Sequence, residues 1–110
     1  MTSSSMSVES LALCLRDKAS APLILDVRRQ AARAAQPTQI SGAVWRDPAL
    51  WLDWKDSIPA DRPVLLYCAH GLEISQGLTH ALQVMGRPAA FLVGGWAQWQ
   101  ASGASTEPAA

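Results

Sequence analysis

Cys68 is the side chain in this sequence whose surroundings best suit nucleophilic chemistry. It follows the apolar run Val64–Tyr67 and precedes a short loop that contains Gly71. After the loop, apolar residues recur at spacings of three and four, which predicts a helix with one buried face. The unpaired N–H groups and the dipole at a helix N-terminus favour an anion, and a thiolate is such an anion. The sequence therefore predicts a reactive thiolate at the start of a helix.

The run Val64–Tyr67 is apolar at every position, so both of its alternating faces must be covered. This pattern is typical of a strand inside a parallel sheet that carries helices on both sides. Open sheets of this kind bind their ligands at the carboxyl ends of their strands, which is where Cys68 stands. We expect two further buried strands beside this one, at residues 23–25 and 90–92.

Helices are predicted between the strands. Ser7 is a suitable N-cap for a helix over residues 8 to about 18, and Asp47 with Pro48 is a typical start for another that ends near residue 54. Shorter helices are predicted at residues 29–35 and 96–101. Because strands and helices alternate, we expect an α/β fold with a mainly parallel, doubly wound sheet flanked by helices. Residues 1–101 are predicted to form a single domain, and residues 102–110 a flexible C-terminal tail.

The composition narrows the class of protein. The chain has 110 residues, of which 49% are hydrophobic, so one domain can bury a core without disulfides or a metal. The net charge is +0 and no basic stripe is visible, so we expect no nucleic-acid partner. No apolar run is long enough to span a membrane, and the first residues lack the pattern of a signal peptide. We therefore expect a cytoplasmic protein with no membrane partner.

The two cysteines are interpreted differently. Cys14 lies on the expected buried face of the first helix, where a cysteine behaves as a small hydrophobic residue. We expect it to be buried and inert, whereas Cys68 should be partly exposed with a lowered thiol pKa. Two cysteines are too few for a disulfide scaffold, which favours a reducing compartment.

Four short motifs, in this order, resemble those of the rhodanese-like (sulfurtransferase) family. The similarity extends from about Val8 to Ala101, and the order and spacing of the motifs are more specific than any motif alone. The motifs are Leu25-Asp26-Val27-Arg28, Ile40-Ser41-Gly42-Ala43, Tyr67-Cys68-Ala69-His70-Gly71, and Gly94-Gly95 followed by Trp99.

The resemblance implies a single-domain sulfurtransferase that works without a cofactor or a metal. In that family the cysteine, here Cys68, takes a sulfane sulfur from a small-molecule or protein donor, holds it as a persulfide, and passes it to a thiol or cyanide-like acceptor. Asp26 and Arg28, at a neighbouring strand end, are expected to support the loop by hydrogen bonds. The loop whose backbone would bind the anion comprises Ala69, His70, Gly71, Leu72 and Glu73.

The sequence departs from the family pattern at positions that bear on function. Gln39 and Thr38 stand where the family usually has histidine and glycine, and Glu73 stands where it often has arginine. A carboxylate suits the first turn of a helix because of the helix dipole. If it faced the loop, however, it would raise the pKa of the Cys68 thiol and repel a dianionic donor such as thiosulfate.

Two functions remain open at this point. An intact Cys68 and Gly71 favour the sulfurtransferase, whereas Glu73 favours a non-catalytic rhodanese-like module that binds a partner or senses an oxidant or oxyanion. A cysteine phosphatase or arsenate reductase is disfavoured, because phosphoryl transfer calls for an arginine that closes the loop, and neither Glu73 nor Ile74 supplies one.

Overall fold

A five-stranded parallel sheet forms the centre of the molecule in the computed structural model, which describes residues 4–17, 19 and 21–109. The strands of this sheet are β1 (Ser5–Met6), β2 (Leu23–Asp26), β4 (Val44–Trp45), β5 (Val64–Tyr67) and β6 (Ala89–Leu92). Their order is β1-β6-β5-β2-β4, so β5, which directly precedes Cys68, is the middle strand. The predicted α/β class and mainly parallel sheet are therefore confirmed.

The described part of the chain contains five α-helices. The predicted caps are present: the Ser7 hydroxyl accepts from the Ser10 N–H at 3.1 Å, and the Asp47 carboxylate accepts from the Ala49 N–H at 3.0 Å. The predicted end of the first helix, near residue 18, falls on a residue outside the described ones. The helices are α1 (Val8–Arg16), α2 (Gln30–Ala35), α3 (Trp51–Trp54), α4 (Glu73–Val84) and α5 (Gly95–Ser102), with short 3-10 turns at Pro48–Leu50 and Lys55–Ser57.

The hydrophobic core is divided by the sheet into two layers. Leu65 and Tyr67 of β5 face the layer that α1 and α5 cover, with Trp99 of α5 fully buried there. Leu66 and Cys68 face the other layer, which Trp54 of α3 and Leu82 of α4 complete. Every position of β5 is buried, as the uninterrupted apolar run predicts. The side chain of Cys68 therefore lies on the α4 side of the sheet.

The flexible tail predicted for residues 102–110 is wrong in the structure. Thr106–Pro108 forms a strand, β7, which pairs antiparallel with β3 at Thr38–Ile40 in a small second sheet. The Glu107 carboxylate accepts hydrogen bonds from the Gly42 N–H at 2.5 Å and from Gln39 Nε2 at 3.5 Å. The abundance of Ala, Ser and Thr after residue 101 indicates a frayed end, but Thr106 and Glu107 pair with a segment far away in sequence. Among the described residues, no helix is both long and apolar enough to cross a bilayer.

Candidate active site

The Cys68 side chain lies directly after β5 and touches the first turn of α4. Its Sγ atom is 3.2 Å from the hydroxyl oxygen of Ser75, whose side chain is fully buried. Cys68 itself is only 5% exposed, so the expectation of a partly exposed thiol is wrong. Cys14 is partly exposed rather than buried, so that expectation is wrong as well. Both differences reflect packing depth, which spacing along the chain does not specify.

The surroundings of Cys68 lower its thiol pKa. Burial raises the pKa, but hydrogen bonds from the Ser75 hydroxyl and from the backbone N–H groups of Ser75, Leu72 and His70 outweigh it. These donors stabilise the thiolate, as expected for a loop that leads into a helix N-terminus. No arginine or lysine occurs between Arg62 and Arg87, so the loop and α4 contain none. Backbone N–H and hydroxyl dipoles therefore stabilise the thiolate here, as a nearby arginine or lysine does in other cysteine sites.

Two glycines allow the Cys68 loop to pack against the start of α5. Gly71 has a φ of +70°, and a β-carbon there would lie 2.6 Å from the carbonyl oxygen of Leu92. Gly95 has a φ of +59°, and a β-carbon there would lie 2.5 Å from the backbone nitrogen of Gly71. Both positions exclude a side chain on two grounds, backbone conformation and close contact. The loop and α5 therefore touch backbone to backbone.

The N-terminus of α5 fixes this contact with hydrogen bonds. The Trp96 N–H donates to the Cys68 carbonyl at 2.8 Å, and the Ala97 N–H donates to the Ala69 carbonyl at 3.0 Å. These N–H groups belong to the first turn of a helix, where no partner within the helix exists for them. The Gly-Gly motif before Trp96 thus positions the loop that begins at Cys68.

Asp26 and Arg28 do not support the loop directly. They form a fully buried ion pair of 2.8 Å, and Arg28 also donates to the carbonyls of Gln36 and Thr38 at 3.1 and 2.8 Å. The Arg28 guanidinium stacks over the Trp96 ring at 4.8 Å. Among the described residues, neither side chain has a hydrogen bond to residues 69–73, because Asp26 faces the α5 side of the sheet. Their link to Cys68 runs through Trp96.

The remaining loop residues contribute backbone more than side chains. His70 and Leu72 are exposed, with Leu72 60% accessible, and each donates its N–H toward the Cys68 sulfur. Glu73 is the first residue of α4 and is also exposed, so its carboxylate does not enter the interior of the loop. It lines a surface groove instead, together with Arg29 and Pro48.

Ser75 is a site residue that the sequence interpretation missed. It is buried on the inner face of α4 with Thr79 and Leu82, at positions that the helical period would assign to apolar side chains. The available signal was a small polar residue on the buried face of the helix that follows Cys68. Buried hydroxyls usually have a hydrogen-bond partner, and Cys68 at the strand end was one candidate.

Comparison with solved structures identifies the same fold. The rhodanese-like domain of an Anabaena protein is 26% identical, with a TM-score of 0.80 over 97% of this chain and 80% of that chain. A rhodanese-like domain protein from Staphylococcus aureus is 25% identical, with a TM-score of 0.76 over 90% and 91% of the two chains. A rhodanese-related protein from Thermoplasma volcanium is 19% identical, with a TM-score of 0.81 over 97% and 98%.

Among curated proteins, none matches the chain. The family model for the rhodanese-like domain matches residues 8–102, which is most of the sequence. The match includes Cys68, its loop, and the glycines that pack against the loop. The chain therefore belongs to the rhodanese-like domain family.

Proposed function

We propose that this protein is a sulfurtransferase that carries sulfane sulfur as a persulfide on Cys68. The observation that carries the proposal is the set of donors around the Cys68 sulfur, namely the Ser75 hydroxyl and three backbone N–H groups, which lower the thiol pKa. A thiolate is the reactive form of cysteine, and the same donors suit the anionic persulfide that follows. We further propose the cytoplasm as its location, since a reducing compartment keeps this thiol free.

The first half-reaction moves one sulfur atom to Cys68. The thiolate attacks the sulfane sulfur of a donor such as thiosulfate, a new S–S bond forms at Sγ, and the donor's own bond to that sulfur breaks. The electron pair of the broken bond leaves with the donor remainder, which is sulfite in the case of thiosulfate. The product on the protein is Cys68–S–S⁻, and its negative charge remains within reach of the loop N–H groups.

The second half-reaction returns Cys68 to its starting state. A nucleophilic acceptor, either a thiolate or cyanide, attacks the outer sulfur and forms a bond to it. The bond between the outer sulfur and Sγ breaks, and its electron pair leaves with Sγ as the thiolate. The donors that lower the Cys68 pKa therefore also make it a good leaving group.

A non-catalytic binding or sensing module is the second candidate, and Glu73 is the observation that favours it. This exposed carboxylate stands at the N-terminus of α4, where the helix dipole would otherwise favour binding of an anion. It would repel an anionic sulfur donor such as thiosulfate. A phosphatase is disfavoured, because the absence of arginine from the loop and α4 leaves no guanidinium to bind a phosphoryl group.

Intact-mass spectrometry after incubation with several sulfur donors tests the proposal. The wild-type protein should gain the mass of one sulfur atom, and a thiol or cyanide should remove it. The Cys14→Ser variant should behave as the wild type does, whereas Cys68→Ser should gain nothing. A wild-type protein that takes sulfur from none of the donors would contradict the proposal and support the binding module.

A further inference from the structure

A surface groove of about 340 Å³ runs along the first two turns of α4. Its apolar lining comes from α4 and from the turn that precedes α3, while its two charged side chains come from different elements. Arg29 follows β2, and Glu73 begins α4. The residues that line the groove are Arg29, Pro48, Glu73, Ile74, Gly77 and Leu78.

The two charges of the groove are available to a ligand. The ion pairs found among the described residues are Asp26 with Arg28 and Lys55 with Asp56, so Arg29 and Glu73 are not joined within 4.0 Å. Neither side chain takes part in the hydrogen bonds found within the described ranges 4–17, 19 and 21–109. Both residues are exposed. The groove therefore presents a cation and an anion that do not neutralise each other.

The groove begins in the helical turn of α4 that contacts the Cys68 sulfur. Glu73 and Ile74 directly precede Ser75, whose hydroxyl contacts the Cys68 sulfur at 3.2 Å. With a rise of about 1.5 Å per residue, this part of the groove lies within one helical turn of Ser75 along α4. The groove therefore lies beside the turn of α4 whose Ser75 hydroxyl contacts the Cys68 sulfur.

We propose that this groove binds the sulfur acceptor and that the acceptor is a small thiol of the amino-acid type, which carries both an ammonium and a carboxylate. Arg29 would bind the carboxylate, Glu73 the ammonium, and the apolar lining of Pro48, Ile74 and Leu78 the carbon chain. This inference rests on the proposed sulfurtransferase function and names its substrate class.

The transfer step balances without an oxidant or reductant. The outer sulfur of Cys68–S–S⁻ first takes a proton from solvent, which gives Cys68–S–SH. The acceptor thiolate then attacks this outer sulfur, and a new S–S bond forms between the acceptor and that sulfur. The bond from the outer sulfur to Sγ breaks, and its electron pair stays on Sγ as the thiolate. The acceptor leaves as its persulfide and keeps the proton of the outer sulfur. The reverse step would load Cys68 from the same persulfide.

This assignment gives Glu73 a role that its departure from the family pattern left open. A carboxylate at the groove repels a dianionic donor but attracts the ammonium of a zwitterion. A guanidinium at Arg29 alone would favour any anion, so the pair selects for a molecule that carries both charges. The groove therefore distinguishes amino-acid thiols from purely anionic sulfur compounds.

Single-turnover kinetics test the proposal directly. Cys68 is first loaded with inorganic polysulfide, a probe that needs no groove, and the persulfide is then discharged by one of four thiols. These are L-cysteine (both charges), cysteamine (ammonium only), 3-mercaptopropionate (carboxylate only) and 2-mercaptoethanol (neither). Each rate constant is divided by the thiolate fraction at the working pH and expressed relative to 2-mercaptoethanol.

The wild-type protein should prefer L-cysteine over 2-mercaptoethanol by about tenfold, the product of two exposed ion pairs at about threefold each. Glu73→Gln should lower this ratio about threefold and remove the preference for cysteamine. Arg29→Gln should lower it similarly and remove the preference for 3-mercaptopropionate. Two control variants on α1 should leave the ratio unchanged. They are Glu9→Gln and Arg16→Gln, each of which neutralises an exposed charge on that helix.

Equal rate constants for all four thiols, or the same ratios in the Glu73 and Arg29 variants as in the wild type, would overturn the assignment of the groove. That result would leave the sulfurtransferase function standing, because loading and discharge would still occur.

If polysulfide does not load Cys68, the proposed function fails separately. The groove is then tested by NMR titration with S-methyl-L-cysteine. Shifts at Arg29 and Glu73 that are absent with S-methyl-mercaptoethanol would support it, and no such shifts would overturn it.

Discussion

At the scale of single residues, the donors around the Cys68 sulfur decide its chemistry. They are the hydroxyl of Ser75 and the backbone N–H groups of Ser75, Leu72 and His70. Backbone donors are fixed by the loop conformation, so Ser75 is the only side chain in this set. A hydrogen bond to a charged group stabilises it by about 1.5–3 kcal/mol. Ser75 can therefore account for a large part of the lowered pKa.

Replacement of Ser75 by alanine should raise the pKa of the Cys68 thiol, because it removes the side-chain hydrogen bond that stabilises the thiolate. The pH profile of iodoacetamide alkylation should therefore shift to higher pH. Thr79→Val is the matched control, because the Thr79 hydroxyl is buried on the same helix and has no hydrogen-bond partner among the described residues. An identical profile for Ser75→Ala and the wild type would contradict the assignment.

The same pKa shift sets a pH dependence of stability. The folded-state pKa of Cys68 lies below its ordinary value. The thiolate therefore contributes stability that is complete above the unfolded-state pKa of about 8.5 and is lost as pH falls through the folded-state value. The difference in unfolding free energy between the wild type and Cys68→Ser should accordingly grow from acid to alkaline pH. A difference that is constant with pH would contradict a lowered pKa.

We expect Glu73 to act on charged donors rather than on the thiol itself, because its carboxylate is exposed. Glu73→Arg should raise kcat/KM for thiosulfate about threefold to tenfold, since a repelling charge becomes an attracting one, and added salt should reduce the gain. Glu73→Gln should give a smaller part of the same gain. Unchanged thiosulfate kinetics in both variants would show that the groove is not on the path of the donor.

At the scale of elements, two helix N-termini meet at the loop and act on different atoms. The start of α4 supplies N–H groups to the Cys68 sulfur, while the start of α5 supplies them to the Cys68 and Ala69 carbonyls. The first contact activates the thiol, and the second holds the backbone that carries it. The close packing of Gly71 and Gly95 makes the second contact possible.

Gly95→Ala should destabilise the fold by about 1–3 kcal/mol, because its φ is +59° and a β-carbon would meet the backbone of Gly71. Urea denaturation measures this loss, and alkylation of Cys68 should slow as the loop shifts. Gly77→Ala is the control, and it should increase the stability of the fold. No atom lies within 4 Å of a β-carbon there, and alanine favours the helix. Equal stability of the two variants would contradict the backbone contact.

The elements differ in how much of them the sequence could predict. Strand β5 and the cap of α1 follow from local patterns, the apolar run Val64–Tyr67 and Ser7, and both are present as predicted. Strands β3 and β7 could not be predicted in this way, because two short polar segments become strands only by pairing with each other. The contact between Cys68 and Ser75 was missed for a related reason, since it depends on the angle at which α4 packs on the sheet.

At the scale of the whole molecule, the C-terminal segment closes the fold on the side of α5. Strand β7 pairs with β3, and the Trp99 indole N–H donates to the Ser105 carbonyl at 3.0 Å. Ile40, at the end of β3, is fully buried, and its N–H donates to the Tyr67 hydroxyl at 3.2 Å. Burial, followed by the charge of Asp26, raises the pKa of Tyr67 above its usual range, so the phenol stays neutral. The segment thus covers a core that extends to β5.

Deletion of residues 104–110 should lower the urea midpoint clearly, because it removes the β3–β7 pairing and the partner of the Trp99 indole. Glu107→Ala should cost about 1 kcal/mol, since it removes the acceptor of the Gly42 N–H. Thr106→Ala, at an exposed position of the same strand, is the control. An unchanged midpoint after the deletion would instead support the flexible tail that the sequence suggests.

The transfer of isotopically labelled sulfane sulfur through Cys68 tests the central claim most directly. The protein is loaded from a donor whose sulfane sulfur is labelled, and the loaded sample is then divided in two. One part is digested into peptides, and the other is mixed with an acceptor thiol. The account predicts that the label appears on the Cys68 peptide and leaves it at the rate at which it enters the acceptor. Label on Cys14 alone, or equal transfer by Cys68→Ser, would contradict the claim.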